Sequence, residues 1–332
     1  MRFNVLGSAR HAALRCTEQR AEISPRQAAK LLTRCCAMQG YPADGTIMTI
    51  ELQALVKDAG TLISFPDVFL RVNELVNDPQ STTAAIATVI GQDPGLTVRL
   101  LKVANSPFYG SSRQVETVAR AVTLLGAAQI RDLVLATSTS QMFAKVTNDV
   151  IFIDDFWQHS IFCGLAAKSL ATASGRVSSD FAFVAGLLHD VGQLVLLHEH
   201  PGQMRVALDM VADPRNEMAM FDAEQAVFGF DHMQLGGALL RAWHLPERLQ
   251  ECVEFHHRPG AAVHYPVEVA LVHIANALAS FAAVRAVTED ATPDIDPSCW
   301  VVTGLAPTII EDTIEATHAG IADVKRLLAL NG

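Results

Sequence analysis

Three features of the sequence predict an all-α fold. Apolar residues recur at three- and four-residue steps along most of the chain, the spacing of one helix face. Alternating β-branched runs closed by Asn-Gly or Asp-Gly turns are scarce, so hairpins have little support. Proline and glycine fall between the periodic stretches, where helices would start and stop. Half of the 332 residues are hydrophobic and 18% are charged, which excludes a disordered chain and provides for a sizeable core.

Taken in order, ELQALVKDAGTL (51–62), DVFLRVNELVND (67–78) and TAAIATVIGQDPGLTVRLLKVANS (83–106) each carry the helical period. Asp78-Pro79 and Asp93-Pro94 punctuate them. A proline disfavours the helical state in the residue before it and suits the first turn of the next helix. Residues 117–135 continue the pattern, with Gly126 as a break. The less periodic TNDVIFIDD (147–155) marks the main internal boundary. Helices are then expected at 155–173, 180–198, 201–212, 220–228, 231–243, 246–257 and 266–283. TEDATPDIDPS (288–298) reads as a loop, and a last helix fits 307–329. No repeat of solenoid period is visible. Four units follow: a poorly determined extension at 1–47, a helical half at 48–150, a second half at 151–284, and a loop with a C-terminal helix at 285–332.

The formal charge of −10 argues against nucleic acid or anionic lipid as a partner, because no basic surplus offsets phosphate. Arg99, Lys102, Arg120 and Arg131 are spread rather than clustered. Residues 1–45 are an exception, with seven basic and three acidic side chains. Such an Arg-rich start looks like a transit peptide. An added leader, with Met48 opening the folded part, is the plainer reading. No uninterrupted apolar run reaches the ~18 residues of a membrane span; residues 181–197 come nearest and are broken by His189, Asp190 and Gln193. Six cysteines without C-x-x-C spacing suggest buried thiols in a reducing cytoplasm.

The chemistry concentrates in the histidines of the second half. His159 lies in DFWQHS, His189 and Asp190 in the apolar run FVAGLLHDVGQLVL, and His232 in DHMQLGGALLRAWHLP. His256 and His257 form a second doublet in VEFHHRPG, and His273 and Asn276 belong to LVHIANALA. Imidazole and carboxylate together suit Zn, Fe, Ni or Mn. Adjacent residues on a helix point about 100° apart, so a doublet can serve one ion only at a helix end or bend. A lone histidine on an apolar helix is more often a hydrogen-bonded core residue, and His198, His200, His264 and His318 are read so, as exposed or loop residues. His244 is expected to end a helix before Pro246. Gly186 and Gly236-Gly237 are read as close helix contacts, and ANSPFYG (104–110) as loop packing or a contact surface for a partner. No phosphate-cradling glycine motif is present.

In this order the motifs resemble the HD superfamily of metal-dependent phosphohydrolases, and more closely the HDOD family, the HD-related output domain of bacterial signalling. The resemblance spans roughly residues 55–283. It rests on LISFPDVFLRVNELVNDP, IGQDPGLTVRLLKVANSPFYG and VARAVTLLGAAQIRDLVLA in the first half, and on the histidine motifs in the second. It implies a multi-helix HD-like bundle packed on an N-terminal helical subdomain. Residue by residue, it places a divalent metal on His159, His189 and Asp190, with Asn276 where HD enzymes carry a closing Asp. His232, His256 and His257 fall where HD-GYP relatives hold a second metal. The Gly-Tyr-Pro element is missing after HHRPG, which argues against hydrolysis of cyclic-di-GMP.

The amide at Asn276 matters physically. It offers a carbonyl oxygen but no negative charge, so metal affinity and control over a bound water should both fall. The resemblance therefore implies a bacterial, cytoplasmic signal-transduction protein, catalytically degenerate, with a regulatory protein partner and a residual metal-type pocket that would bind a metal, a nucleotide-like ligand, or nothing. The alternative is a metal-dependent phosphohydrolase of phosphoesters or nucleotides, in which Asp190 would be the catalytic residue, ligating the metal and orienting water. A third reading leaves the histidines as hydrogen-bonded relics.

Overall fold

The computed structural model describes residues 51–62, 67–105, 115–143, 153–213, 218–285 and 292–327. The extension at 1–47, most of TNDVIFIDD and residues 106–110 of ANSPFYG lie outside them. Among the described residues the chain is helical throughout, without a strand.

The first helices are α1 (Leu52–Leu62), α2 (Asp67–Asn77), α3 (Thr83–Gly91), α4 (Pro94–Ala104), α5 (Val118–Leu125) and α6 (Ala127–Phe143). Their boundaries have local causes. Thr82 and Thr117 sit in extended backbone and cap α3 and α5 by accepting from Ala85 N and Arg120 N. Gly126, at φ +89°, separates α5 from α6 with a backbone that a side chain would strain. α2 to α6 pack on one another around Phe69, Val72, Ile90, Leu100 and Ile130, all essentially fully buried.

The second set comprises α7 (Ile153–Ser174), α8 (Ser179–Leu188), α9 (Val191–Glu199), α10 (Pro201–Ala212), α11 (Met220–Phe228), α12 (His232–Ala242), α13 (Glu247–Phe255) and α14 (Pro266–Arg285). Two more follow, α15 (Pro297–Thr303) and α16 (Ile310–Leu327). α7 is the axis, packed by α8, α14 and α16. Its small residues Ala166, Ala167 and Ala171 meet Ala270, Ala275 and Leu278 of α14 in one apolar cluster, so the backbones can approach closely. α12 lies between α9 and α13.

The two sets share one larger apolar cluster, from Leu55 and Phe69 to Leu235 and Val253. α1 docks on α12, and α6 docks on α8. Asn73 of α2 donates to the His244 carbonyl at 3.3 Å. His244 has φ +53° and ends the α12 region just before Pro246, as the sequence suggests. Asp180 of α8 joins α6 and α7 by accepting from Gln129 and pairing with Lys168 at 3.3 Å.

Two expectations need correction. The helix expected over 180–198 is two helices, interrupted at His189 and Asp190. The loop expected over 288–298 gives way at Pro297 to α15, because Asp296 caps it by accepting from Ser298 N and Pro297 occupies its first turn. The segments Ser179–Glu199 and Pro266–Ala283 are apolar and long enough to cross a membrane by composition, yet 89% and 56% of their most apolar 18-residue stretches are buried inside the protein.

Candidate metal centre

Five of the seven proposed ligands stand at helix termini. His189 and Asp190 are the bend between α8 and α9, with Asp190 at φ −99°, ψ 17°. His256 and His257 follow the last residue of α13, and His232 opens α12. His159 and Asn276 are the exceptions, lying within α7 and α14. At a bend the 100° divergence of neighbouring side chains no longer applies, so both members of a doublet can reach one pocket.

The structure brings the whole set together around Asp190. Its Oδ2 lies 3.1 Å from His189 Nε2 and 3.7 Å from His159 Nε2. Its Oδ1 lies 3.4 Å from His232 Nε2 and 3.4 Å from His256 Nε2. On the first side His159 Nε2 is 3.3 Å from His189 Nε2 and 3.0 Å from Asn276 Oδ1. On the second, His232 Nε2 is 3.4 Å from His256 Nε2, and His257 completes a group whose ligand atoms all lie within 4.8 Å of one another. Asp190 thus faces two half-sites, one with each oxygen.

Ring orientation follows from helix-end chemistry. The last carbonyls of a helix lack an intrahelical partner. His189 Nδ1 donates to Gly186 O at 2.7 Å, and His256 Nδ1 donates to Val253 O at 2.8 Å. Each ring satisfies the carbonyl three residues back, and its Nε2 lone pair is thereby turned inward. His232 Nδ1 instead donates to Glu224 Oε2 at 2.5 Å, and the same oxygen accepts the His232 backbone N–H at 2.9 Å. A carboxylate behind a histidine fixes its tautomer and strengthens it as a ligand.

Burial pulls His159 and His256 down to about 4, with His189 adding like-charge repulsion to each. Burial and then His256 hold His257 well below its ordinary value. These three are neutral imidazoles near pH 7. Burial also opposes charge on Asp190, but His189 outweighs it and holds the carboxyl well below the usual range. For His232, burial is outweighed by Glu224, which pushes it up to about 9, and for His189 by Asp190, which pushes it well up.

The donor set fits a divalent cation. In each facing Nε2 pair, at 3.3 and 3.4 Å, something positive must lie between the two nitrogens: a proton on His189 or His232, whose pKa values are raised, or a divalent ion that takes its place. Bonds of about 2.1 Å place ligands roughly 3.0–3.4 Å apart at octahedral or tetrahedral angles. The two Nε2–Nε2 separations and the Asp190 contacts to His189, His232 and His256 lie in that range, while the 3.7 Å from Asp190 Oδ2 to His159 is longer.

Other histidines are placed elsewhere. His198 and His264 are exposed, His264 pairing with Glu251 at 2.8 Å. His318 is exposed on α16 with its ring against Phe162, and His200 adjoins Phe228. The sequence reading did not pick out Glu224, which is fully buried in α11. Its signal was an acid flanked by Ala223, Val227 and Phe228. Gly192 was also missed, although a Cβ there would collide with the His232 carbonyl.

An all-helical bundle with a buried His/Asp pocket defines the HD class of proteins. The HDOD domain family matches residues 62–259, and the chain belongs to that family. A Treponema pallidum protein of uncharacterised function is 25% identical over 232 residues, which are 69% of this chain and 44% of that protein. The chain therefore spans less than half of that relative. Among solved structures, an HDOD domain protein of unknown function from Geobacter sulfurreducens is similar at 24% identity and TM-score 0.65, covering 82% of this chain and 97% of the other. A candidate phosphohydrolase from Shewanella amazonensis gives 22%, TM-score 0.65 and coverages of 83% and 98%. A candidate signal transduction protein from Marinobacter aquaeolei gives 18%, TM-score 0.66 and coverages of 94% and 67%. At these identities the structural likeness concerns the fold.

Proposed function

We propose that the protein is a regulatory HDOD protein whose pocket binds divalent metal without turning over a substrate, and whose helical surface passes the state of that pocket to a protein partner. The carrying observation is Asp190, with each carboxylate oxygen turned to its own set of imidazole Nε2 atoms. His159, His189, Asp190 Oδ2 and Asn276 Oδ1 would hold one ion. His232, His256, His257 and Asp190 Oδ1 would hold the other. The second set has three nitrogens plus the support of Glu224, while the first has two nitrogens and a neutral amide. The second half-site is therefore the tighter, so a single ion would settle on the side away from His159.

When bound, a divalent ion supplies Lewis acidity. The chain's own residues argue for binding over turnover. Both Asp190 oxygens face ligating nitrogens, so neither is free to act as a general base. The Asp190 side chain is only 12% exposed, which leaves little approach for a bulky phosphoester. Phosphohydrolysis of a phosphoester or nucleotide is the second reading, favoured by the 24% exposure of the His159 side chain, which opens one edge of the pocket.

Elemental analysis of untagged protein, joined to assays on generic phosphodiesters, separates the readings. Stoichiometric metal with no turnover is the expected result. Turnover that vanishes in His189→Ala and Asp190→Ala would establish the hydrolase instead. Metal-free protein after growth in Mn, Fe and Ni would defeat both.

A further inference from the structure

His273 lies outside the pocket but grips it from behind. It occupies α14 three residues before Asn276, so the two share a helix face. Its Nδ1 is 2.7 Å from the carbonyl oxygen of His256. That carbonyl belongs to the peptide joining His256 to His257, at the end of α13 where backbone acceptors lack helical partners. A carbonyl can only accept, so Nδ1 carries the proton and Nε2 presents a lone pair. Nε2 receives the backbone N–H of Asp296 at 3.0 Å. Asp296 is the N-cap of α15. One neutral ring thus links the start of α15 to the peptide between two ligand histidines, and only one tautomer makes both bonds.

The surrounding contacts favour a connection over simple packing. Residues 292–327 lie beyond the family match, which ends at 259. The same C-terminal segment also packs on the helix of the other half-site, since α16 lies against α7, which carries His159. There Lys325 Nζ donates to Gln158 Oε1 at 3.2 Å, next to His159. His256 is held at its ring by Val253 O and at its carbonyl by His273, so its Nε2 has little freedom while both bonds persist.

We propose that His273 is a positioning residue: its Nδ1–H, held in the required tautomer by the Asp296 amide at Nε2, fixes the peptide between His256 and His257 and with it the placement of both rings. The metal consequence rests on the two-half-site reading above; the geometric link does not. His273→Asn keeps a donor where Nδ1 stands and loses the acceptor for Asp296. His273→Leu loses both bonds.

Mn2+ titration by calorimetry is run in two backgrounds, His159→Ala, which leaves the His232 half-site, and His232→Ala, which leaves the His159 half-site. His273→Leu is expected to weaken Mn2+ about tenfold in the first background and to leave the second unchanged, in line with the effect of residues that orient ligands. His273→Asn is expected to restore most of the loss. In metal-free protein, the Asp296 amide should exchange faster in both variants, and the NMR shifts of the His256 and His257 rings should move in Leu but not in Asn. Equal weakening in both backgrounds, no weakening in either, or failure of Asn to rescue would overturn the proposal. Wild-type protein that takes no Mn2+ would defeat the pocket reading alone. The ring shifts would then decide, and unmoved rings in His273→Leu would overturn the role of His273.

Discussion

Gly192→Ala offers a test of how the pocket is assembled. Gly192 sits in the first turn of α9, two residues beyond Asp190, against the first turn of α12. A Cβ at this position would fall inside the His232 carbonyl oxygen, 2.7 Å from Gly236 N and 3.0 Å from the His232 carbonyl carbon. All three neighbours are backbone atoms and cannot rotate aside. Relief at the His232 carbonyl oxygen requires α9 and α12 to part by about 1.5 Å, since unstrained heavy-atom contacts lie near 3.5–4.0 Å. Alanine gains up to ~1 kcal/mol over glycine in helix propensity. Overpacking costs roughly 1–3 kcal/mol, and the rigid contact puts this case at the upper end. The net expectation is a loss of about 1–2 kcal/mol in urea denaturation. The same separation draws Asp190 Oδ1 away from His232 Nε2, now 3.4 Å distant, so metal affinity should fall about 10–100-fold. Gly237→Ala is the control. Its nearest contacts are all in the Glu254 side chain, 2.9 Å at a carboxylate oxygen that can swing outward and 3.0 Å at Cβ, which needs a shift of only a few tenths of an ångström, so the loss should be smaller and metal binding should be kept. A Gly192→Ala protein as stable and as metal-competent as wild type would refute the close-approach argument.

Asn276→Asp adds a negative charge where Asn276 Oδ1 now stands, 3.0 Å from His159 Nε2. Mn2+ affinity of the His159 half-site should rise about tenfold; an unchanged isotherm would place residue 276 away from the ion. Glu251 makes a pH prediction independent of metal. Its carboxylate accepts from His264 Nδ1 at 2.8 Å and from the backbone N–H of His264 and Tyr265 at 3.2 and 3.0 Å, tying α13 to the start of α14. Burial raises its pKa, but these donors outweigh burial and leave it below the ordinary 4.5. Its stabilisation is therefore fully present above about pH 4.5 and lost as pH falls through the lowered folded value. Glu251→Gln should cost about 1–2 kcal/mol at pH 7 and progressively less in acid, read by denaturation at several pH values. A cost that does not change with pH would remove the carboxylate from the account.

The helices were legible because periodicity and punctuation agree: residues 201–212 and 220–228 are found with the boundaries that the sequence suggests. The break at His189 and Asp190 was not legible, because neither proline nor glycine marks it and the apolar pattern runs through. The helix at Pro297 was hidden by the polar, proline-bearing composition that also describes an N-cap. The pocket residues could be listed from chain order and chemistry. Their division into two half-sites could not, since it depends on which Asp190 oxygen each ring meets. Glu224 and His273 act through atoms of other residues, and sequence spacing carries no trace of such contacts.

One physical device recurs in the pocket and explains why its histidines come at helix ends. A terminal carbonyl needs a donor, and imidazole Nδ1–H can provide one while leaving Nε2 free. At His189 and His256 the two needs are met by one ring, through Gly186 O and Val253 O. His232, at the opposite kind of helix end, has no such carbonyl to meet. There a buried glutamate takes the same role and also accepts the buried backbone N–H of the first turn, which has no intrahelical acceptor. The requirement shared by all three rings is a proton fixed on Nδ1. Substitutions that keep a histidine but change what its Nδ1 meets should therefore perturb the site nearly as much as loss of the histidine itself.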